Sequence, residues 1–238
     1  MPPVSPPGRA SVRFMYVRGL ALWLLHGAAS PRRDFSFQAG RYRYFSHRYN
    51  LTPINERAVE VPLALAEIAG HAPDRILEIG NVLSHYPGVP VHDVIDRYER
   101  HAQNPIIRED ARYFCTTKRY DCIVSISTFE HVGWDESPRD PHKAWETIAH
   151  LRTLLSPSGT LFCTVPFGYH PALDARLLEE RASFASYGIL RRTTADNTWS
   201  ETDPSTIRPG DIQFGRPFPF ANALHVCRLG RADVARSV

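Results

Sequence analysis

Apolar positions in this chain fall into short continuous runs separated by stretches of helical periodicity. Ile76, Leu77 and Ile79 form a compact run over 76–80, followed by runs at about 91–95 and 122–127. Each has the length of a buried strand and is bounded by turn residues. Over 142–155 the pattern changes: Trp145, Ile148, Ala149, Leu151, Leu154 and Leu155 recur on one helical face. Pro157, Ser158 and Gly159 turn that helix into a further strand at 160–165. A helix at about 172–186, a strand at 189–194, a loop containing Pro and Gly, and a last strand at 223–229 complete the order. Strands alternating with helices predict an α/β chain with a mostly parallel sheet flanked by helices. Two closing strands after the last helix predict an antiparallel edge.

Ahead of the first strand, Thr52 and Pro53 read as the cap and first turn of a helix that carries Val59, Leu63, Leu65 and Ile68 to Gly70. The segment 35–50 is aromatic and basic. Residues 1–10 are rich in proline and predict disorder. The apolar run 19–29 follows Arg13 and Arg18 and precedes Ser30, Pro31, Arg32 and Arg33, a loose imitation of a secretory signal. It is too short to span a bilayer. It reads either as a helix packed on the domain or as an amphipathic segment, 13–29, in weak contact with a membrane surface. The expected organisation is therefore a tail with a short apolar helix (1–34), an N-terminal helical cap (35–74) and the α/β domain (75–238).

Composition changes this picture little. Of 238 residues 43% are hydrophobic and 22% charged, the balance of an ordinary globular protein. The net charge is only +3, and residues 1–34 hold five arginines against Asp34 alone, so no basic nucleic-acid surface is indicated. Four cysteines (Cys115, Cys122, Cys163, Cys227) form no C-x-x-C pair and no metal-ligand spacing, and the histidines are scattered. Cys122, Cys163 and Cys227 sit in apolar runs as small buried hydrophobes. This suits a reducing cytoplasm.

The candidate chemistry lies at strand ends. Glu78 stands two residues before Gly80, and Asp96 ends the next apolar run. A glycine turn admits a ligand close to the backbone, and a carboxylate accepts the hydroxyl hydrogens of a ribose. Ligands of parallel α/β sheets bind at the carboxyl ends of the strands. A nicotinamide dinucleotide is disfavoured because the G-x-G-x-x-G that cradles its pyrophosphate is absent.

Glu78-Ile79-Gly80, Asp96, Asp110 before Ala111, the run 120–127, Phe129-Glu130-His131-Val132 and the turn 154–161 occur in one order. In that order the chain, over roughly 55–229, resembles the class I S-adenosylmethionine-dependent methyltransferases. The stretches 55–62, 80–86, 127–136 and 166–171 look like a little-characterised bacterial branch of that superfamily. The resemblance implies a Rossmann-like methyltransferase fold and S-adenosyl-L-methionine as cofactor, held by Glu78, Gly80, Asn81, Asp96, Asp110, Ser125 and Ser127. It implies methyl transfer to a small-molecule or glycan-type acceptor, with His131, Tyr169 and His170 as catalytic candidates. His131 either takes the acceptor's proton or braces the next helix with Glu130. His85, Tyr86, Trp134 and Asp135 are candidate pocket walls, and Asn55, Glu56 and Arg57 a candidate lid. Two departures stand out: Val82 and Ser84 occupy positions where the common first motif has glycines, and Pro87, Gly88 and Pro90 leave 81–86 room for a turn or two at most. A catalytically inactive binding or scaffolding protein with the same fold is the alternative.

Overall fold

A computed structural model of the chain describes residues 9–26, 33–99, 105–208 and 210–231. The expected disorder of 1–10 and the end of the 19–29 run lie largely outside these residues. The elements run α1 (Arg9–His26), β1 (Asp34–Phe37), β2 (Gly40–Arg43), α2 (Arg57–Ile68), β3 (Ile76–Ile79), β4 (Asp93–Ile95), β5 (Ile106–Ile107) and β6 (Tyr120–Ile126). They continue with α3 (Lys143–Arg152), β7 (Leu155–Pro166), α4 (Pro171–Glu180), β8 (Ser186–Arg192), β9 (Trp199–Thr202) and β10 (Ala223–Gly230).

Eight strands form one sheet in the order β5-β4-β3-β6-β7-β10-β8-β9. The pairs from β5 across to β7 are parallel, whereas β10 runs antiparallel to both β7 and β8, and β9 antiparallel to β8. This is the expected Rossmann-like, mostly parallel sheet with an antiparallel edge. From β3 the chain steps outward to β4 and β5, then returns to β6 on the other side of β3. The strand order therefore reverses between β3 and β6, and a crevice opens outside their carboxyl ends.

Two apolar layers enclose the sheet. On one face Ile123, Leu161, Cys163 and Val165 pack with Ala144, Ile148 and Leu151 of α3 and Leu173 and Leu177 of α4. On the other, Val124, Ile126, Phe162 and Val226 pack with Val59, Leu63, Ala64 and Ile68 of α2 and with Phe35 and Phe37 of β1. The alternation along β6 and β7, one side chain to each layer, follows from the two-residue strand period. Cys122, Cys163 and Cys227 are buried and Cys115 is exposed.

Several boundaries differ from the sequence expectation. The segment expected as a helical cap opens with the β1–β2 hairpin, whose Phe35 and Phe37 point into the core while their neighbours face solvent. Thr52 does not cap α2. Its hydroxyl accepts from the His47 amide at 2.7 Å, and the turn over Tyr49–Ile54 is broken by left-handed Asn50 (φ 55°) and Leu51 (φ 45°). α2 instead starts at Arg57. The short strands β5 and β9 were not foreseen: one has two residues, and the other lies inside a polar stretch. α4 stops at Glu180, earlier than its pattern suggested.

Candidate functional site

A cavity of about 570 Å³ occupies the crevice where the strand order reverses. Its walls come from four strand ends: Ile79, Gly80, Asn81 and Val82 after β3; Ile95, Asp96, Arg97, Tyr98 and Glu99 after β4; Glu109, Asp110 and Ala111 after β5; and Thr128, His131, Val132, Asp135 and Glu136 after β6. That volume is within the usual range for a small-molecule or cofactor site.

The loop after β3 is built around a buried carboxylate. Glu78 is fully buried; its Oε1 accepts from the amides of Val82 (2.8 Å) and Leu83 (2.7 Å), and its Oε2 meets His92 Nε2 at 2.9 Å. His92 Nδ1 donates to the Pro90 carbonyl at 2.7 Å. Burial opposes a charged imidazole, but the Glu78 hydrogen bond and charge outweigh it and raise the His92 pKa. Glu78 thus closes the loop from beneath rather than lining the cavity. Gly80 has φ +78°, and a Cβ there would lie 2.3 Å from Thr128 Oγ1, so only glycine lets β3's loop pass the turn after β6. One turn forms at Leu83–His85, within the turn or two that 81–86 was expected to allow. Val82 stands in the cavity wall without closing it, and Ser84 turns its hydroxyl to the Asn81 side chain.

Asp96 organises the rim. Its Oδ2 accepts from the Asn81 amide at 3.0 Å, and its Oδ1 accepts from the amides of Tyr98 and Glu99, both at 2.8 Å. An ionised carboxylate offers about four acceptor positions, so one remains toward the cavity. Asp110 is held by Lys143 Nζ at 2.6 Å, Arg97 at 3.3 Å and the Arg112 amide at 3.0 Å. Burial raises its pKa, but Lys143 and these donors outweigh it and hold the carboxyl below its ordinary value.

Across the cavity, His131 Nδ1 meets Asp135 Oδ2 at 2.6 Å, and the Tyr169 hydroxyl donates to the same oxygen at 2.9 Å. The His131 and Tyr169 rings meet edge to face at 4.9 Å. Burial lowers the His131 pKa, yet the Asp135 hydrogen bond and the charge of Glu130, whose Oε1 is 3.6 Å from Nε2, raise it overall. Glu130 is buried, and this pushes its carboxyl up to about 7. Beneath it, fully buried Glu60 accepts from Arg57 at 2.5 Å and from Thr164 Oγ1 at 2.8 Å, and Ser127 donates to it as well. Burial also raises Glu56, whose Oε2 accepts from the Ala221 amide.

Gly80, Asn81, Asp96, Asp110 and His131 are therefore brought to one cavity. Tyr169 joins through Asp135, but His170 does not. It is fully buried, stacks on Trp134 at 4.5 Å and caps α4 by accepting the Leu173 amide, and burial lowers its pKa to about 4. Ser125 is buried within β6, and Ser127, at φ 40°, turns back toward α2, so neither reaches the cavity wall. Thr128, Glu99, Lys143 and His92 went unforeseen. Thr128 follows a strand end and Glu99 lies three residues past Asp96, so both carried a positional signal. Lys143 and His92 act through distant partners and carried none.

No protein-family model matches the chain, and no curated protein matches it. Among solved structures it is similar to the N-methyltransferase NodS from Bradyrhizobium japonicum in complex with S-adenosyl-L-homocysteine (TM-score 0.46, 16% identity, 75% of this chain and 88% of that one). It is also similar to the plantazolicin methyltransferase BpumL in complex with S-adenosyl-L-homocysteine (0.40, 14%, 71% and 80%). A third similar structure is a sugar N-methyltransferase from Streptoalloteichus (0.34, 11%, 60% and 61%). These are distant resemblances.

Two outcomes follow from the buried carboxylates. Glu78→Gln disturbs the bonds to the Val82 and Leu83 amides and to His92 and is expected to cost about 1–3 kcal/mol in urea denaturation. Glu130 holds its proton more tightly folded than at its ordinary value of 4.5. Its contribution is therefore complete below that value and is lost as pH rises through about 7. Glu130→Gln, neutral throughout, is expected to gain stability relative to the parent chain between about pH 5 and about pH 8, measured by denaturation at each pH.

Proposed function

We propose that this chain transfers a methyl group from S-adenosyl-L-methionine to a small-molecule acceptor. The observation that carries this reading is convergence: Gly80, Asp96, Asp110 and His131 come from four separate strand ends and line one cavity at the reversal of strand order. The residues fit such a cofactor. The Gly80 turn brings backbone close to the cavity where a Cβ could not stand, Asp96 keeps an acceptor position for a ribose hydroxyl, and Asp110 lies at the end that would take the base. When bound, S-adenosyl-L-methionine supplies an electrophilic methyl on a sulfonium. It carries no phosphate, so the short loop after β3 need not form the helix N-terminus that a phosphate would require.

His131 is the group suited to take the acceptor's proton. Asp135 fixes the ring through Nδ1 and Tyr169 fixes Asp135, which leaves Nε2 as the titrating nitrogen beside Glu130. Holding the acceptor in line supplies most of the acceleration in such a displacement. The positioned base adds about 10²–10⁴-fold for a hydroxyl acceptor. His170 supports the site from below by fixing α4 and Trp134. Val82, which would have favoured a non-catalytic scaffold had it filled the loop, leaves the cavity open. A glycan-type hydroxyl belongs to the same proposal as one class of acceptor.

Asp96→Ala is expected to weaken S-adenosyl-L-methionine binding at least about tenfold in titration calorimetry while the chain keeps its circular-dichroism spectrum. Methyl-labelled S-adenosyl-L-methionine incubated with pools of small hydroxy and amino compounds is expected to yield labelled product. His131→Ala should lower that yield about 10²–10⁴-fold with cofactor affinity retained. Equal yields from the two proteins would remove His131 from the chemistry.

A further inference from the structure

α1 has one face packed on the domain and one face uncovered. The inner face rests on the 49–54 turn and the 214–220 loop. Tyr16 hydrogen-bonds the Asn50 side chain and lies edge-on to Phe220 at 4.9 Å, and a Cβ on Gly19 would stand 3.0 Å from Ile54 and 3.3 Å from Phe220. The outer face is apolar and uncovered: Phe14 is 66% exposed, Val17 69%, Leu20 38% and Leu24 59%. Positions 14, 17, 21 and 24 form one stripe of a helix, with Leu20 beside them. Four of the nine large apolar side chains exposed among the described residues belong to this helix, so the exposure is a cluster rather than scatter.

Charge identifies the occupant. Arg13 and Arg18 are both exposed, one at the edge of the stripe and one on its flank, and no acidic residue precedes Asp34. Arg18 donates to the Pro217 carbonyl at 2.7 Å, which brings Arg216 to the same side; Asp211 is the carboxylate beside them. The whole chain carries +3 while residues 1–34 carry five arginines and one aspartate, so the rest is close to neutral and the positive charge is concentrated at this end. A second copy of the helix would set arginine against arginine. No helix among the described residues is long and apolar enough to cross a membrane.

We propose that α1 docks the chain on the surface of an anionic lipid bilayer. Phe14, Val17, Leu20 and Leu24 enter the headgroup–acyl boundary and Arg13 and Arg18 meet lipid phosphates. An apolar helical face flanked by arginines binds in this way, with affinity set by the apolar area and by anionic lipid. α1 sits on Ile54 and Phe220, so docking sets the loops around 49–54 and 220 next to the lipid surface. The proposal stands independently of the methyl-transfer reading.

The test is flotation of the full chain with phosphatidylcholine vesicles, with and without phosphatidylglycerol. The expected result is binding to the anionic vesicles that weakens with added salt. Phe14→Ser with Val17→Ser, and separately Arg13→Glu, should each reduce the bound fraction about tenfold. All three proteins should give the same thermal melt, since these side chains are exposed. A folded parent chain that floats with neither vesicle overturns the proposal. So does binding that the substitutions leave unchanged, or a dimer in sedimentation that the double substitution dissociates without any vesicle binding.

Discussion

The Glu78 carboxylate is the constraint on which the site depends. Burying a carboxyl group is costly unless it finds hydrogen-bond partners. Here two loop amides and a doubly bonded imidazole provide them. The same contacts tie the end of β3, the turn at 82–85 and the approach to β4 into one unit. Gly80 can then hold its left-handed conformation against Thr128, and Asp96 can reach across to the Asn81 amide. The short loop after β3 is held by the hydrogen bonds of Glu78 beneath it rather than by helix propensity.

A second buried network lies beyond the cavity, where Arg57 faces three carboxylates. Glu60 pairs with it directly, so the interior need not hold three charged acids around one cation. Glu56 and Glu130 respond as expected: burial and neighbouring negative charge raise both toward the neutral form. This network carries α2 against the ends of β6 and β7 and sets Glu130 beside His131. The His131–Asp135–Tyr169 chain on the cavity side is therefore backed on the buried side by Glu130, whose carboxyl is pushed up to about 7.

Sequence patterns revealed the parts of this arrangement that depend on period and on local turns. The central strands, α3 and the antiparallel edge were readable because buried strands here are nearly continuous apolar runs and α3 shows a helical period, although its buried face is Ala144, Thr147, Ile148 and Leu151, with Ala149 exposed and Leu155 already in β7. Gly80, Asp96 and His131 were readable as cavity-lining positions because strand ends in a parallel sheet are where ligands bind, whereas Asp110, after the unforeseen β5, was marked only by the family resemblance. Glu78 was expected to hold the cofactor, but it braces the loop from beneath instead; its partner His92 is distant in sequence, so this task was hidden. His170 and Ser127 misled because chain proximity to a strand end does not fix side-chain direction: an N-cap took the first and a left-handed residue turned the second. The β1–β2 hairpin hid within an aromatic and basic segment whose alternation spans only four residues per strand.

The proposed ligand of the crevice at the strand reversal is a nucleoside bearing a sulfonium or thioether rather than a pyrophosphate. The direct measurement is titration calorimetry of the full chain with S-adenosyl-L-homocysteine and, in parallel, with a nicotinamide dinucleotide. One-to-one binding of the first in the micromolar range and none of the second is the expected result. Binding of the dinucleotide alone, or of neither by a chain that melts cooperatively, would contradict it.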